Sequence, residues 1–404
     1  SISLITSSDK FELDKLDKLS FLDIPNILAT NSLLEESDDE LELNIPFMIP
    51  VNEVDGLIFS QFAYIPLEGV IDDMSGEMSV LEAGNRFFDI HSEEEIRGYT
   101  ELLKNCCRVF KGMMNCDRFK NLKIKYYHAD FDPEISKQFG AVTIVIHDDL
   151  YYVAFRGTDD SLAGWEEDFK ACYTMPVEAQ VEAESYLGRI FNDYDGKIYI
   201  GGHSKGGNLA VYAAMTEGYK HRDRVVRIHN FDGPGFLEEY VKTTEYQTMA
   251  KIVENYNPKA SIVGMIMFRD DDCVIVESSE KGLMQHAGIS WQVKGTHFVT
   301  ADSFENFSMV FSQANKTWIN GISEEERELF IEIVFRILRD GFDTVTGLKE
   351  GFFTTATAII KSYNGIEKET RRMIRRIVGH VIKLSKESYF ETRKMIKSSE
   401  EKGN

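Results

Sequence analysis

The sequence predicts an α/β protein with a mostly parallel central sheet and helical additions at both ends. Between about residues 123 and 268, short β-rich runs alternate with longer runs that have helical spacing. Such alternation is typical of parallel strands joined by helices that cover both faces of the sheet. Before this region the pattern is helical or irregular, and after about residue 300 it is helical. We therefore expect an N-terminal extension over 1–122, a core over 123–300 and a C-terminal helical region over 301–404.

Each element follows from its local pattern. Apolar residues at helical spacing predict a core-facing helix at 53–65, and Ser92 followed by three glutamates predicts the start of another. Helices are expected at 53–65, 93–111, 178–194, 205–218, 236–256, 322–341 and 345–397. Strands are expected at 123–131, on both sides of a turn at 147–149, at 197–202, at 225–236 with a Gly-Pro-Gly loop at its end, and at 261–268.

Composition excludes several classes of protein. The net charge of -22 over 404 residues argues against a nucleic-acid partner. The five cysteines include no Cys-x-x-Cys pair and no regular spacing, so neither a disulfide framework nor a structural zinc site is expected. The N-terminus lacks the pattern of a signal peptide, and no apolar run reaches the ~18 residues of a membrane helix. These features favour a cytoplasmic location.

A Gly-x-Ser-x-Gly pentapeptide spans 202–206 and makes Ser204 the candidate nucleophile. It lies between a predicted strand, 197–202, and a predicted helix, 205–218, which is the context that a nucleophile elbow requires. Glycines on both sides of the serine provide clearance in so tight a turn. A phosphate-binding loop is excluded, because no glycine precedes Lys205 directly. The pattern therefore indicates an α/β-hydrolase fold with Ser204 exposed at the carboxyl edge of the sheet.

Two segments resemble the class 3 (fungal-type) lipases: V-A-F-R-G-T at 153–158, followed by Gly164-Trp165 and Asp168, and G-H-S-K-G-G at 202–207. The whole chain further resembles a bacterial family of lipase-like hydrolases that is related to those lipases. Its motifs G-H-S-K-G-G-N-L-A, F-D-G-P-G-F, S-I-V-G-M and Q-H-x-x-x-S-W all occur here. The resemblance implies an α/β-hydrolase fold but names no substrate.

The resemblance implies that Thr158 contributes to an oxyanion hole. Residue chemistry agrees, because the hole of this fold uses the N–H after the nucleophile, here Lys205, and an N–H from a loop after an earlier strand. The catalytic base must follow Ser204 in the chain. We predict His286, whose surroundings resemble those of the lipases' catalytic histidine, with His297 as the alternative.

The acid is expected in Asp270-Asp271-Asp272, which directly follows the predicted strand 261–268. The lipase pattern favours Asp270, whereas the bacterial family's pattern favours Asp272, and we predict Asp272. Asp232 is a rival that we interpret as structural, because its turn resembles a non-catalytic turn of the lipases. Three consecutive aspartates make a poor calcium site, since their side chains diverge.

The predicted function is a serine hydrolase that cleaves carboxylic esters through Ser204, His286 and Asp272, without a cofactor or a metal. The substrate would be a small acyl ester or a lipid. A thioesterase or amidase with the same triad, or a binding module that retains the fold without catalysis, are the alternatives. The segment 361–404 carries twelve Lys and Arg against six Asp and Glu. We expect this basic helix to pair with the acidic body, with peripheral contact to an anionic membrane as the alternative.

Overall fold

A computed structural model describes residues 50–132, 137–159 and 162–339, together with position 372. The predicted architecture, a mostly parallel sheet covered by helices, is confirmed. The sheet of the described residues has eight strands in the order β1 to β8. The strands are β1 (Glu77–Ser79), β2 (Lys123–Asp132), β3 (Lys137–His147), β4 (Leu150–Phe155), β5 (Lys197–His203), β6 (Val225–Phe231), β7 (Val253–Pro258) and β8 (Cys273–Val276).

The sheet divides into an antiparallel and a parallel half. Strands β1 to β4 pair antiparallel, and β4 to β8 pair parallel. A separate antiparallel pair is formed by β9 (Val293–Lys294) and β10 (His297–Phe298). Because the carboxyl ends of β4 to β8 meet at one edge of the sheet, the loops that leave these strands lie together there, as in other open α/β sheets.

The helices are α1 (Glu53–Phe62), α2 (Val80–Ile90), α3 (Glu93–Arg97), α4 (Glu101–Asn115), α5 (Leu162–Lys170), α6 (Glu178–Asp193), α7 (Lys205–Ala213), α8 (Glu238–Val241), α9 (Thr244–Met249), α10 (Asn306–Gly321) and α11 (Glu324–Arg339). The predicted helix 93–111 is in fact two helices. The first ends at Gly98, and the hydroxyl of Thr100 accepts from the Leu103 N–H and starts the second. This side-chain cap explains the break.

Two predictions between β6 and β8 are wrong. The segment 236–256 is not one helix, because α8 and α9 are short and the chain then enters β7. The segment 261–268 is not a strand, and a 3₁₀ turn occupies Val263–Met265. Pro258 ends β7 just before this segment, and the Ser261 N–H bonds back to the Pro258 carbonyl, which turns the chain.

The sheet separates two apolar layers. On β4, Tyr152 and Ala154 face one layer while Val153 and Phe155 face the other, as strand alternation requires. The first layer includes α1, α2 and α4, and the second includes α6 and α7. The described part of 1–122 therefore packs directly on the sheet. The predicted domain boundaries stay predictions.

A third, smaller apolar cluster joins α5 to the C-terminal helices. Phe169 and Phe335 pack against each other there, with tilted rings whose centroids are 5.6 Å apart. Of the predicted basic face, Arg371, Arg375 and Arg376 lie outside the described residues. Within the described part of the chain, no helix is both long enough and apolar enough to span a bilayer. The cytoplasmic location stays a prediction.

Candidate active site

Ser204 lies in the sharp turn between β5 and α7. Its φ of 58° is unusual for a residue with a side chain, and its N–H bonds to the Phe231 carbonyl of the neighbouring strand. A Cβ at Gly202 would lie 2.2 Å from the backbone of Gly206, so glycine is required where the two arms of the turn meet. The predicted elbow geometry is therefore present.

The hydroxyl of Ser204 contacts His286, and His286 contacts Asp232. Ser204 Oγ lies 3.0 Å from His286 Nε2, and His286 Nδ1 lies 2.6 Å from Asp232 Oδ2. Because an ionised carboxylate can only accept, the imidazole proton resides on Nδ1, and Nε2 is left as an acceptor for the serine hydroxyl. The His286 side chain is 26% exposed, whereas Asp232 is fully buried. The arrangement can therefore remove a proton from Ser204 at a position that solvent reaches.

Asp232 directly follows the last residue of β6. Hydrogen-bond donors bind the oxygen of its carboxylate that does not contact His286. Its Oδ1 accepts from the Ser261 hydroxyl at 2.5 Å and from the Gly264 N–H at 3.2 Å. Its own N–H donates to the Tyr256 carbonyl at 2.8 Å. Two donors thus hold Oδ1 of the buried carboxylate, a backbone hydrogen bond holds the residue, and Oδ2 is presented to His286.

The prediction that Asp272 orients the histidine is therefore corrected to Asp232. Asp270, Asp271 and Asp272 precede β8, which runs parallel to β5, so they lie on the amino side of a strand rather than beyond its carboxyl end. Strand β8 is also three strands away from β5, whereas β6 is its direct neighbour. Asp272 is exposed, and the Asp271 carboxylate is instead bound by the Tyr246 hydroxyl at 2.8 Å.

His297, the alternative base, is not at the site. Its side chain is 72% exposed and lies 3.3 Å from a carboxylate oxygen of Glu53. It belongs to β10, which pairs with β9 outside the main sheet.

The loop that carries His286 is anchored on both sides. The Gln285 side chain accepts from the Ala260 N–H at 3.0 Å, and the indole N–H of the fully buried Trp291 donates to the Gln285 carbonyl at 2.9 Å. The motif Q-H-x-x-x-S-W is thus a local frame around the histidine.

A second histidine, His203, forms a hydrogen bond with the backbone of His286. His203 Nε2 donates to the His286 carbonyl at 2.8 Å, which leaves His203 Nδ1 to accept from the Tyr64 hydroxyl at 3.1 Å. Burial, together with the nearby His286, lowers the pKa of His203 to about 3, so this ring is neutral and keeps the tautomer that its partners require. Tyr64 follows α1, so the N-terminal region contributes to the site.

Thr158, the predicted oxyanion residue, lies beside the elbow. Strand β4 pairs with β5 so that Phe155 is opposite Gly202, and a Cβ at Gly157 would lie 2.5 Å from the His203 carbonyl oxygen. The Thr158 hydroxyl donates to Asp168 Oδ2 at 2.5 Å. Burial raises the pKa of Asp168 to about 7, and its other oxygen is buried without a hydrogen-bond partner among the described residues.

Within the described residues, no group of three or more His, Cys, Asp or Glu side chains is placed to hold a metal ion. The site as described consists of hydroxyl, imidazole, carboxylate and backbone amide groups.

A family model with the description Mbeg1-like matches residues 113–336, which span β2 to β8 and all of Ser204, Asp232 and His286. The chain belongs to the Mbeg1-like family. This is a lipase-like family, in agreement with the motifs in the sequence. No curated protein matches this Mbeg1-like chain significantly.

Several solved lipase structures are similar to the Mbeg1-like chain. Rhizomucor miehei lipase in its propeptide complex is 15% identical, with a TM-score of 0.32, and the match covers 40% of this chain and 58% of the lipase. M37 lipase is 15% identical over 54% of this chain and 69% of its own, with a TM-score of 0.35. A mutant of MDLA from Penicillium cyclopium is 11% identical over 62% and 87%, with a TM-score of 0.32.

Sequence reasoning missed Asp232 as the partner of His286, and it missed the roles of Tyr64, His203 and Ser261. For Asp232 a signal was present, because it directly follows the strand after the elbow strand. For Ser261 no such signal existed, since the segment around it has the apolar composition of a strand.

Proposed function

We propose that this Mbeg1-like protein is a serine hydrolase with an α/β-hydrolase fold that cleaves carboxylic esters. One observation carries the proposal: the continuous contact from Ser204 Oγ to His286 Nε2 and from His286 Nδ1 to Asp232 Oδ2. The three residues occur in the chain order Ser, Asp, His, which is the order of the α/β-hydrolases. Asp232 directly follows β6, which pairs parallel with the elbow strand β5.

In the proposed reaction His286 Nε2 removes the proton of Ser204 as Oγ attacks the ester carbonyl carbon. Asp232 stabilises the imidazolium ion that forms and keeps its ring in place. The N–H groups of Lys205 and Thr158 would bind the oxyanion, because one follows the nucleophile and the other lies on the adjacent loop. His286 then protonates the departing alcohol.

In the second half of the reaction, water is the nucleophile and Ser204 is the leaving group. Water takes the place of the alcohol, His286 removes its proton, and attack on the acyl-enzyme releases the acid and restores Ser204. Each step uses groups that the chain itself supplies.

An acyl ester with an apolar chain is the substrate class that the surroundings of His286 favour. Leu283 and Met284 precede the histidine in the same loop and are 61% and 54% exposed. Exposed apolar side chains next to a reactive group provide a surface on which an acyl chain can pack. We therefore include lipids within the proposed substrate class.

A fluorophosphonate probe tests the proposal directly, because it reacts with an activated serine hydroxyl. The wild-type chain should be labelled at Ser204, and Ser204→Ala should not be labelled. A folded wild-type protein that the probe does not label would refute the proposal. A panel of p-nitrophenyl esters with short, medium and long acyl chains, run beside a thioester and an anilide, then distinguishes esterase from thioesterase or amidase activity.

A further inference from the structure

The side chain of Lys205 turns away from solvent and forms a buried ion pair beneath the elbow. Its Nζ lies 2.8 Å from Glu167 Oε2, and the two side chains are only 4% and 2% exposed. The same ammonium donates to the Gln138 carbonyl at 2.8 Å. A charged side chain on the residue directly after the nucleophile is thus fixed to α5 and to β3.

Glu167 and Gln138 complete a closed set of hydrogen bonds around this ammonium. Glu167 Oε2 also accepts from the Gln138 N–H at 3.1 Å, and Glu167 Oε1 accepts from the Ala179 N–H at 2.9 Å. Both carboxylate oxygens are therefore used, and neither charge of the pair is left without a partner.

The same set of hydrogen bonds extends to the loop that carries Thr158, the other proposed oxyanion donor. The Gln138 side-chain oxygen accepts from the Asp159 N–H at 3.0 Å, one residue after Thr158. Asp168, the neighbour of Glu167 on α5, accepts from the Thr158 hydroxyl at 2.5 Å. The residues on either side of the proposed oxyanion hole are therefore joined through Glu167, Asp168 and Gln138.

We propose that the Lys205 ammonium is a positioning group that sets the distance between the Lys205 N–H and the Thr158 N–H by binding Glu167 and Gln138. The inference rests on the proposed function, because it concerns the oxyanion hole of that reaction. Its effect is on the transition state, since only there does a negative charge develop between the two amides.

Stability alone does not account for this pair. Removing two charges from water is costly, and replacing a buried ion pair by apolar residues of similar volume is often neutral or stabilising. What an ion pair adds is a defined geometry between the elements that carry it. Here those elements are the elbow, α5 and β3, and the geometry that they share is that of the proposed hole.

The test compares Lys205→Met with wild type in ester hydrolysis and in inhibition by an alkyl boronic acid. The boronic acid adds to the serine hydroxyl and places an oxygen in the oxyanion hole. We expect kcat to fall on the order of 10- to 100-fold, below the 10²- to 10³-fold cost of losing a donor outright. KM should change by less than about threefold. The inhibition constant of the boronic acid should rise by the same factor as kcat/KM falls.

A second buried pair of the chain provides the matched control. Arg118 contacts Asp55 at 2.5 Å with side chains 9% and 1% exposed, at the opposite end of α1 from Tyr64. Arg118→Met should lower the melting temperature but leave kcat and boronic acid inhibition as in wild type. An equal loss of kcat in Arg118→Met and Lys205→Met would overturn the proposal, because the loss would then report general destabilisation.

The double variant Lys205→Met/Glu167→Gln covers the case in which Lys205→Met alone does not fold. It removes both charges of the pair, so neither is left buried without its partner. A folded double variant with wild-type kcat and boronic acid inhibition overturns the positioning role, and one with the expected loss supports it. If the fluorophosphonate probe does not label the wild-type protein, the proposed function itself is refuted. If the probe labels wild type but Lys205→Met has wild-type kcat and boronic acid inhibition, only this inference is refuted.

Discussion

Replacing Asp232 by asparagine should abolish most of the proposed activity while leaving the fold intact. The substitution keeps the shape of a side chain that is fully buried and bound by Ser261, Gly264 and His286. It removes the negative charge, however, and it allows an amide N–H to face His286 Nδ1. The imidazole would then favour the tautomer with its proton on Nε2, which cannot accept from the Ser204 hydroxyl.

The expected magnitude follows from this tautomer change. The same substitution in a serine protease triad lowers kcat by about 10⁴-fold with the geometry retained. We expect a loss of about 10³- to 10⁴-fold here, which corresponds to about 4 to 5.5 kcal/mol of transition-state stabilisation. The assay is p-nitrophenyl ester hydrolysis, with Ser204→Ala as the background and circular dichroism to verify folding.

Asp272→Asn is the matched control, because the same chemical change is made at an exposed aspartate on the amino side of β8. Its kcat should stay within about twofold of wild type, as surface substitutions away from a site usually have small effects. The reasoning fails if Asp272→Asn lowers kcat as much as Asp232→Asn, or if folded Asp232→Asn keeps a tenth of the wild-type kcat.

Three further changes test the groups around this triad. Ser261→Ala removes one of two donors to Asp232 Oδ1, and kcat should fall about tenfold with a loss of 1.5 to 3 kcal/mol in urea unfolding; unchanged values would show that Ser261 does not hold the carboxylate. Tyr64→Phe leaves His203 Nδ1 buried without its donor and should cost about 1 to 3 kcal/mol of unfolding free energy, with no such loss if water replaces the hydroxyl. The pKa of Asp168 is raised to about 7, so its ionisation destabilises the folded state. Relative to Asp168→Asn, wild type should lose stability from about pH 4 to pH 7 by at most about 1.4 kcal/mol per pH unit and then level off, and a pH-independent difference would contradict this.

The elbow and the contact between Ser204 and His286 could be predicted from sequence because their signals are local. A glycine two residues on each side of Ser204, between a strand pattern and a helix pattern, specifies the turn almost completely. His286 was one of few histidines after Ser204, and the structure places its ring against the serine hydroxyl. Thr158 is beside the elbow for an equally local reason, since it follows the strand that pairs with β5.

The carboxylate that contacts His286 could not be predicted as well, because its assignment depended on where strands begin and end. The apolar composition of 261–268 predicts a strand, which would have placed Asp270 to Asp272 beyond a carboxyl end. In the structure this segment turns at Val263–Met265, and the aspartates precede β8 instead. Tertiary hydrogen bonds determine the conformation of this segment, and they cannot be inferred from its composition.

The three motifs that follow the elbow have a common role when they are considered together with the triad. The turn F-D-G-P-G-F supplies Asp232, S-I-V-G-M supplies the Ser261 and Gly264 donors that hold its far oxygen, and Q-H-x-x-x-S-W frames His286. Each segment is irregular because its backbone or short polar side chains are committed to the site rather than to the sheet. Strand and helix periodicity is therefore least informative where these motifs occur. An acid in such a segment is better sought at the ends of the strands that neighbour the elbow strand, and β6, the neighbour that follows it in the chain, has Asp232 at its end.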